Sequence, residues 1–290
     1  MDISTQVMKY VCAVAKYLSF HKAADACFTS QPNLSAQIKK LEAELGYDLF
    51  ERTSRFVKTS KKGELVVREF LSILEKVNAL TELNHSQFSG TLKLGLFPTL
   101  APYLLPKVMM GIKKNLPDLK LTVIEDKTKR LCEQLEAGDL DCILVAYPEH
   151  YALFEHELLF EDRFYVAISV ENALAQQAEL RLEDIKNETV LLLEDGHCLR
   201  DQALEICQAD FLNVDFSYKS ASLETLRAMV SVNAGITFMP ELCILPSPHI
   251  KYLPLKDKQY SRTIALYWRK TSSQKALIKN LAKQLVVPGY

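Results

Sequence analysis

FHKAADACFTSQPNLSAQIKKLEAELGYDLFERTSR, residues 20–55, decides how the first part of this chain folds. His21–Cys27 sets Ala23, Ala24 and Cys27 at helical spacing, and just upstream Val7, Met8, Val11, Ala15 and Leu18 do the same, so two short helices follow one another closely. Thr29 or Ser30 caps a third helix, Pro32 sits in its first turn where a backbone N–H has no partner, and Leu34, Ile38, Leu41 and Leu45 form its apolar stripe up to Gly46. LFERTSRFVKTS at 49–60 is too rich in β-branched and basic residues for a buried helix and reads as a hairpin. Three short helices, a tight turn and a basic hairpin describe a winged helix-turn-helix whose third helix enters the major groove of DNA. Ser30, Gln31, Pro32, Asn33, Ser35 and Gln37 crowd the start of that helix, where polar side chains meet base edges and phosphates, while Arg52, Arg55 and Lys58 on the wing suit the DNA backbone. Polar residues at a helix start are also what capping alone would place there.

Downstream, Val66, Phe70, Ile73, Val77 and Leu80 alternate steps of four and three, the pattern of a dimer seam or of an amphipathic helix packed on its own domain. NHSQFSG at 84–90 breaks the pattern and serves as a linker. Strands at 91–97, 119–125 and 142–147, with a helix after Thr99 and another over 128–137, give a βαβαβ order and a parallel sheet. Further strands are predicted at 164–170, 189–194, 214–220, 236–239 and 262–268, before a final helix near 272–285. The fold class is therefore α/β overall: an N-terminal winged helix-turn-helix over 1–60, a linker helix and hinge over 61–90, and a two-subdomain α/β domain over 91–290. Subdomain I spans about 91–162 plus 264–290 and subdomain II about 163–263, with a ligand cleft between them.

Composition bounds the rest. The chain has 290 residues, 48% of them hydrophobic, enough for two cores and unlike the signature of disorder. Its start carries Asp2, Lys9 and Lys16 within the apolar pattern, so it presents neither a signal peptide nor a membrane span, and a cytoplasmic location without membrane association is expected. Residues 1–62 hold ten Lys/Arg against six Asp/Glu, which leaves 25 against 30 in the remainder. The basic part is the one expected to rest on phosphates.

Seven scattered cysteines do not form a disulfide framework, so any cysteine chemistry is reactive or incidental. Cys12, Cys27, Cys132, Cys142 and Cys243 read as buried small hydrophobes. Cys198 stands apart, because it follows Asp195–Gly196–His197 at the start of a helical pattern. There the helix N-terminus, with His197 and Arg200, would favour a thiolate, the form that peroxide oxidises. If 199–207 is helical, the nine-residue step to Cys207 spans about 13–14 Å along the axis and turns the two cysteines to opposite faces. A disulfide needs Cα atoms about 4.4–6.8 Å apart, so joining the pair would remodel the helix. The plain alternative is that both are structural.

The pattern AA, SQP, S, I, LE, LG, LF and R within residues 20–55 resembles the N-terminal domain of LysR-type transcriptional regulators. That resemblance implies a winged helix-turn-helix, a dimerising linker helix and a regulatory domain of periplasmic-binding-protein type. LEDGHCLRDQA at 193–203, with a cysteine nine residues beyond the first, is similar to the sensing segment of the peroxide-responsive members of that family. PT at 98–99 with PYLLP up to 106, LDCILVA at 140–146, SLETLRAMV at 222–230, GIT at 235–237 and RTI at 262–264 extend the likeness. By resemblance, Cys198 is the peroxidatic cysteine and Cys207 the resolving one, while Thr99, Thr128, His197 and Arg262 line the peroxide pocket. The same resemblance implies a homotetramer on double-stranded promoter DNA, contact with RNA polymerase, activation of antioxidant genes, and re-reduction by a glutaredoxin or thioredoxin-type protein. No cofactor or metal is implied. Thr99 after Pro98 is also a good helix cap. Cys132, Cys243 and Phe97 depart from the family motif, Phe97 in a way that alters the pocket's shape. A family regulator sensing a small metabolite in the cleft is the alternative, and a thiol peroxidase fits less well, since residues 1–90 are devoted to reading DNA.

Overall fold

Three serines start the first three helices. Ser4, Ser19 and Ser30 each accept a hydrogen bond from a backbone N–H three residues on, that of Val7, Lys22 and Asn33, at the heads of α1 (Thr5–Tyr17), α2 (Phe20–Ala26) and α3 (Gln31–Leu45). The structure, a computed structural model, describes residues 3–52, 56–81, 89–148, 152–209, 214–220, 222–256 and 260–286. The chain divides into two units, 1–86 with 271–274 and 87–270 with 275–290.

In the first unit Val11, Val14, Ala23, Leu34, Ile38 and Leu49 build the core. Gly46 closes α3, and β1 (Phe50–Arg52) pairs antiparallel with β2 (Val57–Thr59) as the wing. The helix α4 (Lys61–Thr81) follows, and its apolar stripe divides. Val66, Phe70 and Leu74 pack on the unit's own core, whereas Ile73 and Val77 are exposed. The side chain of Leu80 and residues 84–88 of the linker lie outside the described residues. At Gly63 α4 comes so close to the wing that a Cβ would overlap the Leu49 carbonyl oxygen.

In the second unit the described residues form a seven-stranded mixed sheet. β3 (Gly90–Leu96) lies parallel between β4 (Leu119–Glu125) and β5 (Cys142–Tyr147), with α5 (Ala101–Asn115) and α6 (Thr128–Glu136) as crossovers. β6 (Phe154–Ser169) is the longest strand. Its first part pairs with β11 (Ser261–Arg269), which also pairs with β5, and its second part pairs with β9 (Thr237–Pro240) and β10 (Ile250–Pro254). One strand thus carries the sheet from one half of the unit into the other. β7 (Val190–Leu193) leads to α7 (Cys198–Ala209) and pairs parallel with β8 (Val214–Ser220), before α8 (Leu223–Ser231). α9 (Lys275–Leu285) ends the described chain and packs Leu277, Ile278 and Leu281 into the core.

The sequence pattern places a strand only at 164–170, whereas β6 starts ten residues earlier, and β10 has no counterpart in that reading. The final helix begins at Lys275 rather than 272. Among the described residues no helix is long and apolar enough to cross a membrane.

The approach at Gly63 makes a direct prediction. Gly63→Ala forces α4 off the Leu49 carbonyl and costs the first unit about 1–3 kcal/mol in denaturant unfolding. An unchanged midpoint would show that the helix rides clear of the wing.

Candidate functional site

The start of α3 presents Gln31, Pro32, Asn33 and Gln37 to solvent, with Ser35 half-buried. Ser30 uses its hydroxyl as the helix cap, and Asn33 Nδ2 donates to Thr29 Oγ1 at 2.9 Å, which orients that amide. On the wing Lys58 is exposed, and Arg55 lies outside the described residues. Arg52 has a different setting from the one its basic neighbourhood suggested. It pairs with the carboxylate of buried Glu42 and lies 4.4 Å over the Phe20 ring, so it braces the wing against α3. Glu42 is the anchor here, since its Oε1 also accepts from the backbone N–H of Leu49 at 2.9 Å and of Phe50 at 3.2 Å.

In the second unit the chain leaves β7, turns at Asp195–Gly196 and enters α7 at Cys198, as the spacing predicts. Gly196 turns there with φ +88°, and a side chain at that position would press on the Lys127 stem. Lys127, just before α6, straps this turn down: its Nζ donates to Glu194 Oε1 and to the Asp195 carbonyl, both at 2.9 Å. Its neighbour Thr128 faces the Cys198 sulfur, with Oγ1 buried and otherwise without a partner among the described residues. His197 is buried, and its Nε2 has no hydrogen bond and lies 3.8 Å from Glu194 Oε1.

Arg262 closes the other side. Its side chain is fully buried and paired with Asp162, the residue opposite it on β6. Thr99 Oγ1 and the Thr99 carbonyl each receive an Arg262 N–H at 3.3 Å, and the guanidinium lies 5.2 Å over the Phe97 ring. The capping reading of Thr99 is therefore corrected: Leu100 is the N-cap of α5, with no side-chain cap bond, and the Thr99 hydroxyl is held by Arg262. Cys243 also enters this cluster, fully buried, with its Sγ 3.3 Å from the Thr99 carbonyl and its thiol pushed up to about 12, chiefly by burial.

The electrostatics at Cys198 differ from the expectation in direction. Cys198 as a residue is half-buried, yet the packing around its sulfur pushes the thiol above its ordinary value, Asp201 adds to the push, and Arg262, Thr128 and the Leu199 backbone N–H pull the other way without prevailing. The two neighbours expected to help do not. His197 is held below its usual range by burial first and by Lys127 second, so it is neutral, and Arg200 is engaged with Asp195 at 2.9 Å and with the Leu193 carbonyl. Cys207, near the far end of α7, is 3% exposed, with its thiol pushed up to about 11 by burial. Both cysteines are free thiols. Cys132, Cys142 and Cys243 are buried as the pattern implies, while Cys12 and Cys27 are only half-buried. Asp162, Lys127 and Glu42 were missed in the sequence because their partners lie far along the chain or in another element. Among the described residues no group of three His, Cys, Asp or Glu side chains is arranged to hold a metal.

Comparison with known proteins follows the same division. Residues 5–64 match the bacterial regulatory helix-turn-helix protein, lysR family, and residues 85–286 match the LysR substrate binding domain. A hydrogen peroxide-inducible genes activator of Haemophilus influenzae is 42% identical over 268 residues, 90% of this chain and 89% of that protein. The DNA-binding transcriptional dual regulator OxyR of Escherichia coli is 38% identical over 284 residues, 96% of this chain and 93% of that protein. A solved full-length OxyR from Pseudomonas aeruginosa, carrying a cysteine-to-aspartate substitution, superposes with a TM-score of 0.81 at 31% identity, covering 98% of this chain and 95% of that one.

The buried, neutral His197 sets a pH dependence. Its unfolded form takes up a proton near 6.5 and its folded form only at lower pH, so below about 6.5 the unfolded state binds more protons and stability falls as pH falls. Urea unfolding at pH 7.5 and pH 5.5 should therefore show a larger acid loss in wild type than in His197→Asn. Equal losses would place this imidazole in contact with solvent.

Proposed function

This chain belongs to the LysR family of transcriptional regulators, and from that premise we propose that it is a DNA-binding regulator that senses hydrogen peroxide through Cys198. The observation that carries the reading is that Cys198 and Cys207, both free, stand nine residues apart on one continuous helix. The first adjoins buried polar groups, and the second is sealed in the core.

In the proposed reaction the Cys198 sulfur attacks one peroxide oxygen, the O–O bond breaks, and the departing hydroxide takes the thiol proton to leave as water. The product is a sulfenic acid. The Cys207 thiol then attacks that sulfur, a second water leaves, and an S–S bond forms. Because burial holds the resting thiol protonated, its proton passes on as the oxygen bond breaks. Thr128 Oγ1 and His197 Nε2, two buried polar atoms in want of partners, support a small polar ligand between them, and Arg262 and Thr99 complete its pocket. Closing the disulfide unwinds α7, and the regulatory domain, 91–290, passes the change through the 61–90 helix to the DNA-reading domain, 1–60. The exposed Ile73 and Val77 support a dimerising role for that helix. The working form is a homotetramer on promoter DNA that activates antioxidant genes through RNA polymerase, and a glutaredoxin or thioredoxin-type protein resets the disulfide.

Thiol alkylation before and after micromolar peroxide tests the reading in wild type, Cys198→Ser and Cys207→Ser. Wild type should lose two free thiols to a 198–207 disulfide, Cys198→Ser none, and Cys207→Ser should stop at the sulfenic acid. A wild type that keeps both thiols returns the protein to metabolite sensing, and fast catalytic peroxide consumption without a promoter-dependent change would make it an enzyme. On the DNA side, Lys58→Gln should lower the slope of log affinity against log salt by about 1 with thermal stability intact, while Arg52→Gln should lower the melting temperature. A Lys58→Gln slope equal to wild type would take that lysine off the phosphates.

A further inference from the structure

Asp162 is tied on both sides. Its Oδ2 accepts from Arg262 Nε at 3.0 Å and from Nη2 at 2.8 Å, and its Oδ1 accepts from the Leu242 backbone N–H at 2.9 Å. The Leu242 bond stops the carboxylate from turning, so the plane of the guanidinium is fixed. Of the five Arg262 hydrogens, two go to Asp162, one to the Thr99 carbonyl and one to the Thr99 hydroxyl, and Nη2 also reaches the Cys243 sulfur at 3.9 Å. One Nη1 hydrogen stays uncommitted among the described residues. Neither Asp162 nor Arg262 has any exposed side-chain surface, so water does not screen the pair. The thiols of Cys198 and Cys243 both feel this guanidinium.

We propose that Asp162 is a positioning residue for the peroxide reaction: pinned by Leu242, it holds Arg262 in one orientation, with its charge felt at the Cys198 sulfur and one N–H left for the oxidant. This rests on the peroxide-sensing reading above. A carboxylate that served only as a counter-charge would have the opposite signature. Removing a buried anion next to a thiol-facing cation strengthens the cation's field, which would make Cys198 easier to ionise and faster to oxidise. Losing the orientation of Arg262 makes it slower. The groups that face Cys198 are Arg262 from β11, Thr128 from α6, and the Leu199 N–H and Asp201 from α7 itself. Of these, only Arg262 is bonded to Asp162.

The full-length protein is the test material, with the rate of Cys198 oxidation by hydrogen peroxide and the pH midpoint of Cys198 alkylation as readouts. Asp162→Asn should slow oxidation about tenfold or more and move the midpoint up, since small misplacements of a positioned group cost factors of this size. Asp162→Glu should recover part of the rate, and Asp162→Asn should add no slowing to Arg262→Gln, because one acts through the other. An Asp162→Asn protein as fast as wild type, or faster with a lower midpoint, overturns the proposal. If Asp162→Asn does not fold alone, the charge-neutral Arg262→Gln/Asp162→Asn pair is compared with Arg262→Gln, and a double variant clearly slower than the single one overturns the proposal equally. A wild type that resists peroxide overturns the functional reading itself, and this inference with it.

Discussion

The rigidity of α7 is the constraint on which the account depends. Its twelve residues hold Cys198 at the first position and Cys207 near the last. A rise of ~1.5 Å per residue keeps the two sulfurs well beyond the reach of a disulfide. The helix is not free to bend toward a compromise, because Leu199, Ala203, Ile206 and Cys207 are all buried in the core of the second unit. Any bond between the two sulfurs must expose that apolar stripe or find it a new place to pack. In the proposed switch a chemical change of two atoms is therefore coupled to a change in fold, because a close-packed stripe resists graded distortion.

What keeps the resting arrangement in place is a set of polar ties, partly exposed around Lys127 and fully buried around Arg262. Lys127 lashes the turn before Cys198 to the head of α6, and Arg262 is clamped between Asp162 and Thr99. Burial has two effects on Cys198. It holds the thiol above its ordinary value, and in the proposed reaction it strengthens whatever the Arg262 charge does once negative charge develops on sulfur. The long strand β6 bears Asp162, its end toward β9 and β10 starts two residues later, and Leu242 reports from the turn after β9. The clamp thus sits where one half of the sheet passes into the other.

Most of the fold was legible in the sequence, for local reasons. Helix caps, Gly46, the alternation of apolar residues and the βαβ order depend on neighbours within a few positions, and Ser30, the α7 start and the burial of Cys132, Cys142 and Cys243, though not of Cys12 and Cys27, came out as the pattern implies. β6 was read short because Glu155, Glu157, Glu161 and Asp162 break up its first half, and acidic residues are poor strand formers. One of them, Asp162, is buried by an arginine 100 residues away, a fact no local pattern holds. Thr99 looked like a cap for the same reason, and at Cys198 the helix terminus is a local feature whereas the packing that half-buries the residue and raises its thiol is not.

Amide hydrogen exchange across residues 199–209, in the reduced protein and after stoichiometric peroxide, is the most direct test of the coupling between sulfur chemistry and helix. Protected amides are expected in the reduced state, with loss of that protection on oxidation of wild type and no change in Cys198→Ser. Full protection of these amides in a protein carrying the 198–207 disulfide would contradict that coupling.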